Sequence, residues 1–168
     1  MAAKKMNRKK ANKNGDALLP PVTLGGLLGA EPVMITVSQS GGGLGEVSLI
    51  TRGLLASMDD GWGLCFCAVG PAPEDDQFTY LLCEDNTVTI SRIGESASTV
   101  VHRARETYVD SQETPEGMFQ TRIFTNLVQI NRRGRTGRIR LSYQISQTPF
   151  PHAEMYSQRL DIRFRPCK

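Results

Sequence analysis

Apolar and polar residues alternate with a period of two in several segments of the chain after residue 33. The segment 138–147 shows this most clearly: Ile139, Leu141, Tyr143 and Ile145 alternate with Arg138, Arg140, Ser142 and Gln144. Successive side chains of a strand point to opposite faces, so this segment predicts a strand with one apolar and one basic face. The segment 159–164 repeats the pattern, because Leu160 and Ile162 alternate with arginine and aspartate.

Turn-forming residues divide this pattern into hairpins. The clearest turns fall at residues 41–45, 59–61, 84–86, 114–117 and 132–137. Glycine and aspartate are common there because they tolerate the positive φ that tight hairpins require. The glycine-rich segment 41–45 is predicted to be a hairpin loop, since no Gly-Lys-Ser/Thr of a phosphate-binding loop follows it.

Eight or nine strand candidates result, with no long helix and no strand–helix–strand rhythm. This pattern predicts an all-β, antiparallel sandwich or barrel, and closure into a barrel would remove exposed sheet edges.

Two segments have a less regular pattern. Residues 96–108 predict a short strand followed by a loop. Residues 118–131 form an unusually long run whose apolar phase changes, from Phe119 and Ile123 to Phe124, Val128 and Ile130. A β-bulge near Ile123 and Phe124 would reconcile the two phases, because a bulge inserts one unpaired residue into a strand.

The net charge of +3 is unevenly distributed along the chain. Residues 1–16 carry six bases and one acid, residues 31–116 carry 14 acids and four arginines, and residues 117–168 carry ten bases and two acids. The acidic and basic parts of the folded domain either pair across strands or leave a basic face for a polyanion. We predict a disordered basic tail and a Pro/Gly-rich linker over residues 1–32, and one barrel domain over residues 33–168.

The remaining composition argues against a membrane span, a signal peptide and a metal centre. No run of about 18 apolar residues occurs, and prolines and glycines interrupt the apolar stretch 17–30. The four cysteines, Cys65, Cys67, Cys83 and Cys167, lack the spacing of zinc ligands. Reduced thiols are typical of the cytoplasm. The sequence therefore predicts a cytoplasmic protein with no membrane association, no metal and no cofactor.

Several segments carry a family resemblance: residues 62–67 (WGLCFC), 87–94 (TVTISRIG), 114–117 (TPEG) and 139–145 (IRLSYQI). In this order they resemble the small bacterial YwiB-like family, a domain of unknown function, between Val33 and Phe164. The resemblance implies a cytoplasmic, eight-stranded, up-and-down antiparallel barrel with a calycin-like or lipocalin-like core. It implies no substrate and no active-site residues. The chain departs from the family in its basic N-terminal extension and in the arginine-rich segment 132–140.

No catalytic motif is present, and we expect the protein not to be an enzyme. His152 lies among prolines and other surface-type residues, and His102 is flanked by Arg103, which disfavours its protonated form. Each is predicted to be an ordinary loop or strand histidine. The acidic pairs lie in predicted turns, where solvation explains them.

Binding of a small ligand inside the barrel is the first functional hypothesis. A barrel of about eight strands is either just filled by side chains or holds one small ligand. The inward residues that would line such a site are Phe124, Val128, Ile139, Leu141, Tyr143, Leu160 and Ile162. The alternative, that these side chains simply fill the core, stays open.

Binding of RNA or another polyanion is the second hypothesis. The guanidinium groups would come from one hairpin end: Arg132, Arg133, Arg135, Arg138 and Arg140. Such groups form paired hydrogen bonds to phosphate oxygens, and the basic tail would add long-range attraction. A solvated turn is the alternative explanation.

Overall fold

The computed structural model describes residues 29–68, 77–94, 97–148 and 155–168. Secondary structure within these ranges consists of ten β-strands joined by tight turns. They are β1 Glu31–Gly41, β2 Leu44–Met58, β3 Gly61–Ala68, β4 Gln77–Glu84, β5 Thr87–Ile93, β6 Ser98–Arg103, β7 Thr107–Thr114, β8 Gly117–Arg133, β9 Thr136–Thr148 and β10 Tyr156–Pro166. The all-β class is confirmed, whereas the predicted count of eight strands is wrong.

All ten strands belong to one antiparallel sheet, in the order β6-β5-β4-β3-β2-β1-β10-β9-β8-β7. Neighbours in this order are neighbours in sequence except for β1 and β10, which pair from Val33 with Pro166 to Gly41 with Gln158. The first and last strands therefore meet in the middle of the sheet. Its two outer strands, β6 and β7, are consecutive in the chain.

The sheet curls into a nearly closed barrel whose seam lies at the turn between β6 and β7. The backbone N–H of Arg105 donates to the Thr125 carbonyl on β8 at 2.8 Å, and the Thr125 N–H donates to the Glu106 carbonyl at 3.0 Å. These bonds dock the turn on β8 and satisfy backbone groups that an open edge would expose.

Strand β7 is the element that the sequence pattern missed. It pairs only with β8, from Thr107 opposite Phe124 to Thr114 opposite Gly117, and most of its residues are exposed. A strand with so little burial carries a weak alternation. The preceding turn contains Arg105 with φ of 68°, a conformation that glycine or asparagine would usually signal.

The predicted bulge in the long strand β8 exists, two to three residues further along than expected. The register with β9 shifts between Thr125 and Leu127, so that Asn126 has no partner residue there. Before the bulge Ile123 and Thr125 are buried; after it Val128 and Ile130 pack against the core. One extra residue thus keeps apolar side chains inward along the whole strand.

The core is a continuous cluster inside the barrel, and one end of the barrel is sealed by aromatic rings. Trp62 and Phe164 lie 5.2 Å apart between ring centroids, and the guanidinium of Arg132 lies 5.4 Å from the Trp62 ring. Arg132 also donates to the Ser57 hydroxyl at 2.8 Å. A cation over an aromatic face is attracted by the ring quadrupole, so this arginine closes the end that the rings fill.

The predicted tail and linker lie mostly outside the described residues, which begin at Gly29. Strand β1 starts at Glu31, two residues before the predicted start of the domain.

Candidate functional site

The outer surface of β8, β9 and β10 carries a cluster of arginines, which we call the arginine face. Its members project from outward positions that alternate with buried residues: Arg133, Arg138, Arg140, Arg159, Arg163 and Arg165. Antiparallel register places Arg163 directly opposite Arg138. In the described part of these three strands, Asp161 is the one acid.

Asp161 lies at the centre of the arginine face. Its carboxylate accepts two hydrogen bonds from Arg138, one from Nε at 2.8 Å and one from Nη2, and a third from Arg163 Nη2 at 3.2 Å. These bonds lower the pKa of Asp161 to about 2, against a smaller opposing effect of burial. One carboxylate thus neutralises part of the charge of two arginines.

The other four arginines of the face are exposed. Arg133, Arg140, Arg159 and Arg165 make no hydrogen bond or ion pair with any residue that the structure describes. Like charges on neighbouring strands are destabilising. A surface that keeps them together suits an external anion.

Two shallow concavities lie on this face. One, of about 720 Å³, is bordered by Met34, Thr36 and Phe164, by four arginines of the face and by Arg132, which lies over Trp62 at its edge. The other, of about 530 Å³, is bordered by Ser38, Ser142 and the arginines 140, 159 and 163. Glu46 of β2 also borders the second concavity. The arginine face is therefore contoured, with guanidinium groups around both depressions.

The structure divides the five arginines that were predicted as a polyanion site. Arg133, Arg138 and Arg140 lie on the arginine face. Arg132 is turned inward over Trp62, and Arg135 lies 3.7 Å from the Glu31 carboxylate. The hairpin end alone is therefore not the basic surface.

Arg159, Arg163 and Arg165 were missed as site residues. Their alternation with Leu160, Ile162 and Phe164 was visible in the sequence. The pairing of β10 with β9, which places them beside Arg138 and Arg140, was not.

The residues predicted to line an internal site mostly form the packed core. Ile139, Leu141 and Ile162 are at most 2% exposed. Leu160 and Tyr143 are also buried, and Val128 packs against the cluster. Phe124 lies between inward Ile123 and Thr125, so it occupies an outward position. The core-filling alternative thus describes most of this set.

A polar group lies in the barrel interior where β6 meets β8. His102, 2% exposed, has Nδ1 3.0 Å from the Thr125 hydroxyl. Its ring lies 4.8 Å from that of Tyr143. Burial, with a smaller contribution from the charge of Arg92, lowers the pKa of His102 to about 4. His102 is therefore neutral near pH 7 and takes part in closing the barrel; His152 lies outside the described residues.

The barrel interior keeps an open cavity of about 360 Å³ towards the ends of β1, β3 and β5. Most of its walls are apolar, including Val37, Leu49, Phe66, Leu81, Ile90, Leu160 and Ile162. Arg92, Thr79 and Gln39 are among its polar lining residues. Only Leu160 and Ile162 of the predicted lining border this cavity. Arg92 was not predicted, although its spacing of two residues from Ile90 and four from Val88 places it on the same, inward face.

The cysteines and other potential ligands show no assembled metal site. Cys65, Cys67, Cys83 and Cys167 are free, and burial raises the pKa of the Cys83 thiol to about 12. Across the described ranges, no three His, Cys, Asp or Glu side chains come together as metal ligands would. The same residues contain no helix of the length and apolarity needed to cross a membrane.

These features define an antiparallel, nearly closed ten-stranded barrel with a basic outer face and a small internal cavity. Residues 33–156 match the family described as Domain of unknown function (DUF1934), and the chain belongs to this family. The YwiB protein of Bacillus subtilis has a similar crystal structure, with a TM-score of 0.66 at 13% identity over 83% of this chain and 94% of that one. At this identity the likeness concerns the fold alone. No curated protein matches the chain.

Proposed function

We propose that the protein binds RNA, or a similar polyanion, through the arginine face. The observation that carries the proposal is the group of four exposed arginines without a carboxylate partner among the described residues, set around two concavities. Guanidinium groups bind phosphate oxygens through paired, charge-assisted hydrogen bonds. Strands lie about 4.8 Å apart in a sheet, and alternate residues lie about 6.8 Å apart along a strand. Several phosphates can therefore be engaged at once.

The proposed recognition is of the sugar–phosphate backbone rather than of base sequence. The face presents arginines, small polar residues and a few aliphatic side chains, with no row of exposed aromatic rings for base stacking. Contacts to phosphates position a nucleic acid but carry no sequence information. The free thiols favour a cytoplasmic location, where RNA is an abundant polyanion. The proposed role is that of a binding protein rather than an enzyme.

The test measures fluorescence anisotropy of a labelled 20-nucleotide oligouridylate against salt concentration. The double variant Arg140→Gln/Arg165→Gln removes two charges from the arginine face. Arg103→Gln/Arg105→Asn removes two exposed charges at the β6–β7 turn, and asparagine there tolerates the positive φ of Arg105. Both variants have the same net charge.

We expect only the face variant to weaken binding strongly. For single-stranded RNA, each arginine that no longer neutralises a phosphate reduces the slope of log K against log salt by about 0.7, so the slope should fall by about 1.4. Equal reductions of affinity in the two variants would mean that net charge alone attracts RNA. A wild-type affinity that does not depend on salt would contradict the proposal.

A second candidate function, binding of a small ligand inside the barrel, is supported by the cavity of about 360 Å³. This volume lies near the lower end of the range for small-molecule sites, which are mostly apolar with a few convergent polar groups. We propose a calycin-like mode of use, in which the ligand enters the barrel at one end. Native mass spectrometry of gently purified protein tests it: a bound species should be released on denaturation.

A further inference from the structure

Arg92 of β5 is a charged side chain directed into the barrel. It follows Val88 and Ile90 on the same face of the strand, and both of these are buried in the core. It borders the internal cavity together with Leu81 and Ile162. Burial lowers the pKa of His102 and raises that of Tyr143, and the charge of Arg92 acts on both of these interior groups. The positive charge of the guanidinium therefore affects groups in the barrel interior.

Within the described part of the chain, Arg92 has no carboxylate partner and makes no hydrogen bond. Arg92 is half-buried, and a charge that has lost part of its water gains from a partner of opposite sign. Asp161, the carboxylate bound by two arginines, lies on the outer surface and is engaged there. An arginine beside a cavity, with no carboxylate partner among the described residues, thus has the chemistry to bind an anion that enters from solvent.

The walls of the cavity determine what kind of anion fits. Apart from Arg92, Thr79 and two glutamines, the lining is aliphatic or aromatic. An inorganic anion would leave these walls without contacts. A long polyanion would bring further charges next to them. A small monoanion with an apolar body satisfies both parts of the site.

We propose that this cavity binds a small organic acid, with its carboxylate on Arg92 and its apolar body against Leu81, Ile90 and Ile162. The proposal rests on the second candidate function, ligand binding inside the barrel. The planar guanidinium presents two parallel N–H donors that match the two oxygens of a carboxylate. The bond is stronger in an apolar cavity than in water, because the local dielectric constant is lower. The site is distinct from the arginine face.

The experiment is calorimetric titration of the full chain with three probes of equal length: octanoate, octanol and octylamine. Octanoate should bind about tenfold or more tightly than octanol, since a charge-assisted hydrogen bond is worth that ratio. Octylamine should bind least, because its ammonium group would face the Arg92 charge. This comparison uses the wild-type protein and does not depend on how any variant folds.

Variants then locate the site. Arg92→Gln should weaken octanoate binding about tenfold or more, while octanol affinity stays within about twofold. Arg103→Gln removes an exposed arginine of the next strand and should leave both affinities unchanged. Arg140→Gln/Arg165→Gln should also leave octanoate binding intact, and weaker binding there would place the carboxylate on the outer face.

The possible outcomes distinguish ligand binding in the cavity from selection of acids by Arg92. If octanol binds as tightly as octanoate, the cavity takes ligands but Arg92 does not select acids, and the inference is overturned. If none of the three probes binds, ligand binding in the cavity is also contradicted for molecules of this size. Tight octanoate binding that Arg92→Gln does not change would likewise overturn it.

Discussion

At the scale of single residues, Asp161 has two opposing effects. Its carboxylate stabilises the barrel by accepting hydrogen bonds from Arg138 and Arg163, and it reduces the positive potential of the arginine face. We expect Asp161→Asn to lower the free energy of unfolding by about 1 kcal/mol, a value reduced for the partial exposure of the group. The same change should raise oligouridylate affinity several-fold, as anisotropy would show. Asp85→Asn, an exposed turn substitution, is the control, and weaker binding by Asp161→Asn would contradict the proposed role of the face.

The lowered pKa of Asp161 also predicts a pH dependence of stability. The unfolded carboxyl titrates near 3.8 and the folded one near 2. The stabilising contribution is therefore complete above about pH 3.8 and disappears as the pH falls through about 2. Urea unfolding of wild type between pH 4 and 2 should lose this contribution, whereas Asp161→Asn should lack that part of the decline. Parallel curves for the two proteins would show that the carboxylate makes no net contribution.

His102 controls a different pH window. Burial lowers its pKa to about 4 from an ordinary value of 6.5, so the unfolded chain binds a proton more readily than the folded one. The folded state should therefore lose stability as the pH falls from 6.5 to 4, by at most about 1.4 kcal/mol per unit, with no further loss from this group below 4. His102→Gln should have a flatter profile in this window, even if it is less stable at pH 7. A wild-type stability that does not change between pH 7 and 4.5 would refute the prediction.

At the scale of elements, the close approach of β8, β9 and β10 depends on a glycine. A Cβ atom at Gly137 would meet the Phe164 ring at 2.3 Å and the Asn131 carbonyl oxygen at 2.7 Å. Gly137→Ala should therefore lower the free energy of unfolding by about 2–3 kcal/mol, because the ring that packs on Trp62 would have to move. Gly45→Ala, on β2 with open space around it, should change it by less than about 1 kcal/mol. Urea denaturation of both variants checks this, and a similar small effect at the two positions would contradict it.

Some elements of the fold can be predicted from the sequence, and others cannot. Strands that bury one face, such as β5 and β9, can be predicted from the alternation of apolar and polar residues. Their hairpin turns can be predicted from Asp, Asn and Gly. Strand β7 is polar and lies at the sheet edge, so the alternation is absent, and the turn before it has Arg105 where glycine or asparagine would be the signal. The outward side of each arginine can be predicted from the pattern of its own strand. The grouping of these arginines into one surface cannot. The alternation of Arg163 with Ile162 assigns it a side of β10, whereas only the register shows that it lies opposite Arg138.

At the scale of the whole molecule, the uneven distribution of charge along the sequence gives the barrel one basic side. The basic C-terminal strands β8, β9 and β10 are consecutive in the sheet, so their arginines gather on one side. Of the strands from the acidic first part, only β1, beside β10, and β7, beside β8, adjoin them. Among the described residues, Glu31 with Arg135 is the one ion pair that joins the two parts. The charge distribution alone allowed either pairing of the acidic and basic parts across strands or an exposed basic face. This topology favours the exposed basic face.

Removal of the basic segment 1–16 tests whether this segment and the arginine face contribute independently to RNA binding. All ten strands that the structure describes lie after residue 30, so we expect a protein lacking residues 1–16 to keep its melting temperature within about 2 °C. The segment contributes six bases and one acid, and its removal should weaken oligouridylate binding and reduce the salt dependence. If the segment and the arginine face contact the same strand of RNA independently, the effects of the truncation and of Arg140→Gln/Arg165→Gln on log K should add in the combined variant. If the truncation alone abolished binding, so that the face substitutions had nothing left to change, the arginine face would not be the primary site.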